Sequence, residues 1–153
     1  NIHRKDDPKT YARAQYDLGK TYDQSHDLDE AIEAWSNIHR KDDPKTYARA
    51  QYDLGDVYNS LLVGKLDEAI KAWSNIRRKD DPEIYIRAQS ELGDVYNSLG
   101  KLDEAIEAWS NISYNDDPEI YIWTQLSLGA AYNESGKLDE AIKAWSNIRR
   151  KDD

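Results

Sequence analysis

The side chains best suited to chemistry in this 153-residue chain are a few histidines and several adjacent aspartate pairs. The three histidines are His3, His26 and His39. They form no His-Glu-x-x-His motif, and no cysteine is present to complete a zinc site. The aspartate pairs at 42–43 and 80–81 each precede a proline, where a carboxylate caps a helix. The pattern therefore predicts solvated histidines and capping aspartates.

The glycines give no sign of a phosphate-binding loop. All seven stand at repeated positions or in the turns between them. Without cysteine the chain also has no thiolate nucleophile. We therefore expect a protein that is not an enzyme and that binds no cofactor or metal.

The charge balance is acidic, with 21 lysines and arginines against 30 aspartates and glutamates and a formal net charge of −9. Such a surface repels a phosphate backbone, so we expect no nucleic-acid partner. No apolar run approaches the ~20 residues of a membrane span, and no signal peptide is recognisable. The sequence favours a soluble protein away from membranes, with the cytoplasm as the default location.

The phrase AWSN recurs along the chain and defines a period. Its tryptophans, Trp35, Trp73, Trp109 and Trp145, are separated by 38, 36 and 36 residues. Periods of this length are typical of stacked repeat arrays. We therefore expect one repeat domain over residues 1–153, with units at about 8–43, 44–81, 82–117 and 118–153 and residues 1–7 as the tail of a preceding unit.

Each unit predicts a helical hairpin. In the third unit, Asp81 suits the cap of the first helix, Pro82 its first position and Gly100 its end. The second helix carries acids at its start, and most copies of its segment end in Arg-Lys, in agreement with the helix dipole.

Helical spacing separates a core face from a displayed face. In the first helix the predicted core residues are Tyr11, Ala14, Leu18 and Tyr22, and the displayed residues are Arg13, Tyr16, Lys20 and Asp23. In the second helix the predicted core residues are Leu28, Ala31, Ile32, Trp35 and Ile38, with Glu30, Glu33 and Arg40 outside. Gly19 and its equivalents lack a side chain, which allows the partner helix to approach closely.

The units resemble the tetratricopeptide repeat. Leu18, Gly19 and Tyr22, followed by Ala31 and Trp35, reproduce its spacing of leucine, glycine, aromatic and alanine residues. The period is 36 rather than 34, and glutamine stands where the family usually has tryptophan, at Gln15, Gln51, Gln89 and Gln125. The resemblance implies an all-α solenoid of stacked antiparallel helix pairs in a right-handed superhelix, with first helices lining a concave groove.

The resemblance and the variable displayed positions predict a non-catalytic protein-interaction scaffold that binds a peptide or helix in the groove. The expected groove residues are Arg13, Tyr16, Lys20, Arg49, Tyr52, Asp56, Asn59, Arg87, Asp94, Asn97, Trp123, Leu126 and Asn133. The arginines would seek acidic groups of the ligand. Trp123, Leu126 and Ala130 form an apolar patch that would anchor the ligand, or would be buried against a further helix or another chain.

An asparagine ladder is formed by Asn59, Asn97 and Asn133, and Asp23 occupies the equivalent position in the first unit. An amide both donates and accepts, so the ladder is able to hold an extended peptide backbone. Local hydrogen bonding near the helix end is the alternative interpretation.

The junction phrase NI(H/R)RKDD both opens and closes the chain, and residues 1–19 are identical to residues 37–55. Either the chain is a window from a longer array, or copies stack end to end through uncapped terminal repeats. The second unit also carries two extra residues, Leu62 and Val63. They are interpreted as a tolerated turn insertion or, together with Leu61, as an apolar knob for a partner.

Overall fold

The computed structural model describes residues 3–61 and 64–148, and those residues form eight α-helices without a strand. The helices are α1 (Pro8–Gln24), α2 (Leu28–Ser36), α3 (Pro44–Ser60), α4 (Leu66–Ser74), α5 (Pro82–Ser98), α6 (Leu102–Ser110), α7 (Pro118–Glu134) and α8 (Leu138–Ser146). The all-α prediction is confirmed. The insertion at Leu62 and Val63 lies outside the described residues, as do both ends of the chain.

The helices divide into two compact units, residues 1–85 and residues 86–153. The first unit contains α1 to α4. The division falls after the first turn of α5, so the second unit contains most of α5 and all of α6 to α8.

The first helices start where the Asp-Pro steps predict. Proline occupies the first turn, and the preceding aspartate accepts a hydrogen bond from the backbone N–H three residues further on. The turn between α5 and α6 uses Gly100 in the left-handed region, at φ 71°. The equivalent turn after α1 places His26 there, at φ 61°, a conformation that costs energy for any residue with a Cβ.

Within each helix pair, a tryptophan of the second helix packs directly on a glycine of the first. In the first pair, a Cβ at Gly19 would overlap the indole of Trp35, and the same holds for Gly55 and Trp73. Trp35 is fully buried, and its Nε1–H donates to the carbonyl of Tyr16 at 3.2 Å. The predicted close approach at the glycine is confirmed. The contact with tryptophan is made although glycine in a helix costs about 1 kcal/mol relative to alanine.

A side-chain hydrogen bond also links the two helices of each pair. It joins the asparagine that follows the second helix to a glutamine of the first helix. The amide of Asn75, just after α4, donates to the buried Gln51 of α3 at 3.0 Å. The same bond recurs in the other three pairs, at 2.8 to 3.3 Å. Glutamine at this position therefore has a structural role that the family's usual tryptophan would not supply.

The predicted core face of α1 is partly wrong. Ala14 is exposed and Leu18 is 42% exposed, whereas Ala12 is fully buried. A first helix has two buried sides, because α3 packs on α4 and also on α2. No described helix precedes α1 to cover its second side. The equivalent of Leu18 on α3, Leu54, is 4% exposed in the core that includes Trp35.

The junction phrase was also misinterpreted. In the first two pairs the second helices end at Ser36 and Ser74, before Arg40-Lys41 and Arg78-Lys79, so those residues do not complete the final helical turn. Arg40 is not outside the core region. Its guanidinium lies over the ring of Tyr47, 4.6 Å from the centroid, and its Nε is 2.9 Å from Oδ2 of the buried Asp80.

We call this arrangement the junction latch: an arginine of one junction phrase that stacks on the tyrosine of the following helix and binds an aspartate of the next phrase. Arg4 repeats it with Tyr11 and Asp42, at 3.0 Å from the carboxylate. Each of these arginines also donates to the backbone carbonyl of the asparagine that opens the next phrase. The first aspartate of each pair, Asp42 or Asp80, is therefore a buried ion-pair partner, and only the second is the helix cap.

The fourth junction phrase departs from this pattern. Tyr114 stands in the position of the latch arginine and contacts Tyr121 edge to face, with ring centroids 5.8 Å apart. An aromatic contact thus replaces the cation–π contact of the earlier junctions.

Replacing Arg40 by leucine leaves Asp80 buried without its cation. We expect the free energy of unfolding to fall by about 3 kcal/mol, the lower end of the range for a broken buried pair, because Arg40 itself still reaches water. Urea denaturation measures the change. The matched control is Arg13→Leu, which breaks a largely exposed pair with Asp17 and should cost less than about 1 kcal/mol. Equal losses in the two variants would contradict the latch.

Candidate functional site

The displayed face of the first unit is largely occupied by intramolecular contacts. Arg13 pairs with Asp17 at 3.2 Å, and Arg49 lies 3.9 Å from Asp81. Both arginines remain exposed. A ligand carboxylate would therefore compete with acids that the chain already provides. The remaining predicted residues of this unit divide into half-buried and exposed groups: Tyr16, Lys20 and Tyr52 are half-buried, and Asp56 and Asn59 are exposed.

A polar cluster lies between α1 and α3. Lys20 lies 3.8 Å from Oδ2 of Asp53, and the phenol of Tyr16 hydrogen-bonds to the same carboxylate. Burial raises the pKa of Asp53, while Lys20 and the Tyr16 hydrogen bond oppose that rise. Burial and the adjacent Asp53 charge raise the pKa of Tyr16. Tyr16 and Lys20 thus do not project freely from the displayed face.

The displayed face of the second unit is more open and more apolar. Trp123 is 64% exposed and Leu126 is 47% exposed, and Ala130 is exposed on the same side of α7. The polar residues predicted for this face, Arg87, Asp94, Asn97 and Asn133, are also exposed. Large exposed apolar side chains that are contiguous mark interaction surfaces.

Beside this patch, α5 and α7 enclose a cleft of about 280 Å³. Ser90 and Asp94 line it from α5, and Trp123 and Ser127 line it from α7. Trp109 of α6 also contributes to its lining. The cleft combines a carboxylate, hydroxyl groups and aromatic surface, which suits it to bind a side chain.

The indole N–H of Trp109 differs from its counterparts. Trp35, Trp73 and Trp145 each donate to a backbone carbonyl of the first helix, at 3.2 to 3.3 Å. Trp109 is 1% exposed, and its N–H interacts with the carboxylate of Asp94 instead. Partial burial raises the pKa of the Asp94 carboxyl, and the hydrogen bond with Trp109 partly opposes that rise.

The three residues of the asparagine ladder are exposed. The side chains of Asn59, Asn97 and Asn133 make no hydrogen bond to the residues that the structure describes. The alternative of local side-chain hydrogen bonding is not seen at these three positions. Asp23 of the first unit is half-buried near Asp53, whose pKa it helps to raise.

Over 3–61 and 64–148, no group of three or more histidine, aspartate or glutamate side chains is arranged to hold a metal ion. In the same ranges, no helix is both long enough and apolar enough to cross a membrane.

Sequence reasoning identified Asp94 and Trp123 but missed the cleft that they share. Ser90 and Ser127 were not selected, because serine on a helix surface carries no signal by itself. The useful signal was the comparison between units, since Ser90 stands where the first two units have Tyr16 and Tyr52. A small residue in place of a tyrosine indicates a potential opening.

Comparison with known families agrees with this architecture. The family model described as tetratricopeptide repeat matches residues 16–73 and 63–118. The chain belongs to the tetratricopeptide-repeat family. Repeats of this family generally mediate protein–protein interactions and form a non-catalytic scaffold. No curated protein matched the chain in a sequence comparison.

The raised pKa of Asp53 predicts a pH-dependent effect of Asp53→Asn. Below about pH 4 the carboxyl is protonated in both the folded and unfolded states, so its ionisation adds no difference in stability. As the pH rises, the unfolded state loses its proton first, and the wild type loses stability relative to the variant. We expect the stability difference to favour Asp53→Asn increasingly from about pH 4 to neutral pH, as measured by urea denaturation.

The control for this series is Asp17→Asn, at an exposed position on α1. Its stability difference should stay within about 0.5 kcal/mol over the same pH range, as is usual for a surface substitution. A stability difference that stays constant, or that shifts towards the wild type, as the pH rises from about 4 to neutral would contradict the prediction.

Proposed function

We propose that this chain is a non-catalytic scaffold that binds a peptide or helix of a protein partner on the displayed face of its first helices. The observation that carries the proposal is the exposed pair Trp123 and Leu126, three residues apart on α7. Membership of a family that generally mediates protein–protein interactions supports it.

The apolar pair is the energetic anchor of the proposed interface. Tryptophan is enriched among the few interface residues that dominate binding energy, because its large ring is desolvated at low cost in conformational entropy. Trp123 replaces the arginine found at 13, 49 and 87 in the other first helices. This position is therefore the one at which the fourth repeat acquires a different binding character.

The polar groove residues have a supporting role in this proposal. The amides of Asn97 and Asn133 supply donors and acceptors for a peptide backbone. Arg13, Arg49 and Arg87 contribute charge complementarity to acidic ligand groups, although the first two are also engaged with acids of the chain.

Panning a library of random 12-residue peptides displayed on phage tests the proposal. Peptides enriched on the wild type should bind Trp123→Ala about 30-fold more weakly, the loss typical of an interface hot spot. Fluorescence polarisation with the labelled peptides measures the affinity. Tyr114→Ala is the matched control, because it removes another exposed aromatic ring of the same unit. Peptides that bind Trp123→Ala as tightly as the wild type would place the interface elsewhere.

Self-association is a second candidate function, and the apolar face of α8 favours it. Ile142 is 61% exposed and Trp145 is 39% exposed, whereas their equivalents in the first unit, Ile32 and Trp35, pack in the core beside Leu54 of α3. Because residues 1–19 repeat residues 37–55, the exposed Leu18 face of a second copy offers α8 the same side chains that α3 offers α2.

Light scattering after size exclusion tests this candidate over a wide concentration range. The mass of the wild-type chain should rise with concentration, and Ile142→Lys should hold it at the monomer value, because a charge on the apolar face opposes burial. The control Glu140→Gln changes the net charge by the same amount at another exposed position of α8. A wild type that is monomeric throughout would exclude this mode of association.

A further inference from the structure

Each unit has a space between two consecutive first helices: α1 and α3 in the first unit, and α5 and α7 in the second. Four side chains around this space differ between the units. Counting from the proline that starts each helix, Tyr16 corresponds to Ser90, Lys20 to Asp94, Arg49 to Trp123 and Asp53 to Ser127. The first unit therefore provides an internal reference for what the second unit lacks.

In the first unit this space contains a polar cluster. The carboxylate of Asp53, projecting from α3, is held by the ammonium group of Lys20 and the phenol of Tyr16, both from α1. An acid in this position is thus compatible with the fold when a cation and a hydrogen-bond donor reach it from the neighbouring helix.

In the second unit the same space is open. Serine in place of Tyr16 removes a ring, and serine in place of Asp53 removes the original acid. Aspartate in place of Lys20 moves the carboxylate to the opposite wall, where it lines the cleft as Asp94. Within the described part of the chain, no lysine or arginine forms an ion pair with Asp94.

The indole of Trp109 lines the cleft together with Asp94. Hydrogen bonding from its N–H partly opposes the rise that burial causes in the pKa of the Asp94 carboxyl. The cleft therefore brings a carboxylate and a buried aromatic ring together.

We propose that the cleft between α5 and α7 is a recognition site for a basic side chain, lysine or arginine, of the protein partner. The cationic group would pair with Asp94, and the aliphatic stem would lie against Trp123 and Ile120. The identification of the ligand as part of a protein rests on the proposed function.

Size and charge agree with this occupant. A volume of about 280 Å³ is below the roughly 300 to 1,000 Å³ of typical small-molecule pockets, so the cleft suits one side chain better than a whole cofactor. The exposed ring of Trp123 adds a cation–π surface. The net charge of −9 attracts basic ligands from a distance.

Titration with single amino acid derivatives tests the site directly. The probes are Nα-acetyl-lysine amide and Nα-acetyl-arginine amide, and their neutral counterparts are the same derivatives of norleucine and citrulline. The readout is the ¹⁵N–¹H signal of the Trp109 indole, assigned by comparison with a Trp109→Phe variant. At least one basic probe should shift this signal in a saturable way, with an affinity about tenfold or more above that of its neutral counterpart.

Two variants make the test specific to the cleft. Asp94→Asn keeps the shape of the side chain and should weaken binding of the basic probe by about tenfold. The control is Asp56→Asn, at the equivalent exposed aspartate of α3, and it should leave binding of the probe unchanged. Ser90→Tyr restores the residue that the first two units carry and should abolish binding by filling the cleft. Unchanged chemical shifts away from the cleft would show that each variant remains folded.

The proposal is overturned if basic and neutral probes shift the Trp109 signal equally, or if Asp94→Asn binds the basic probe as the wild type does. Its failure is distinguishable from failure of the scaffold function. Trp123-dependent peptides without selective lysine or arginine binding would leave the scaffold and remove the cation site. Selective binding of a basic probe without any Trp123-dependent peptide would leave the cation site and remove the peptide-binding function.

Discussion

The contact between a glycine of the first helix and a tryptophan of the second is the constraint on which each helix pair depends. The indole occupies the space that a Cβ would fill at Gly19, Gly55, Gly93 or Gly129, so the helices approach more closely there than ordinary side chains allow. This approach places the Trp35 and Trp73 N–H groups within reach of carbonyls in the facing helix, and it buries both rings completely. One small residue thus sets the helix separation and the depth of the core.

The junction latches add a polar constraint to this apolar one. Arg4 and Arg40 reach across from one phrase to the next, and they bind carboxylates that are almost fully buried. Asp42 and Asp80 also accept a backbone N–H of their own turn, which satisfies further acceptor capacity. Because a buried charge must be paired, the latch favours one register of successive helix pairs over slipped alternatives.

The first helices differ from one another at positions outside the glycine–tryptophan contacts and the helix caps. The displayed position occupied by Arg13 in α1 becomes Trp123 in α7, and the tyrosine at 16 becomes Ser90 in α5. Neither exchange disturbs a glycine, a buried tryptophan or a cap. The result is a polar cluster in the first unit and an acidic cleft in the second, built on the same helix-pair pattern.

The sequence by itself determined the helices and their pairing. Local patterns repeated at fixed offsets encode the period, the helix starts at Asp-Pro, the turns and the contact of Gly19 with Trp35. Only the tertiary structure decided which of those residues are buried. Leu18 is exposed and Leu54 is not, although their local sequences are the same, because only α3 has a described helix pair before it. The latch joins residues about 40 positions apart, and the cleft depends on side chains from three helices. Burial and open space are set by neighbours distant in the chain, which helical periodicity does not encode.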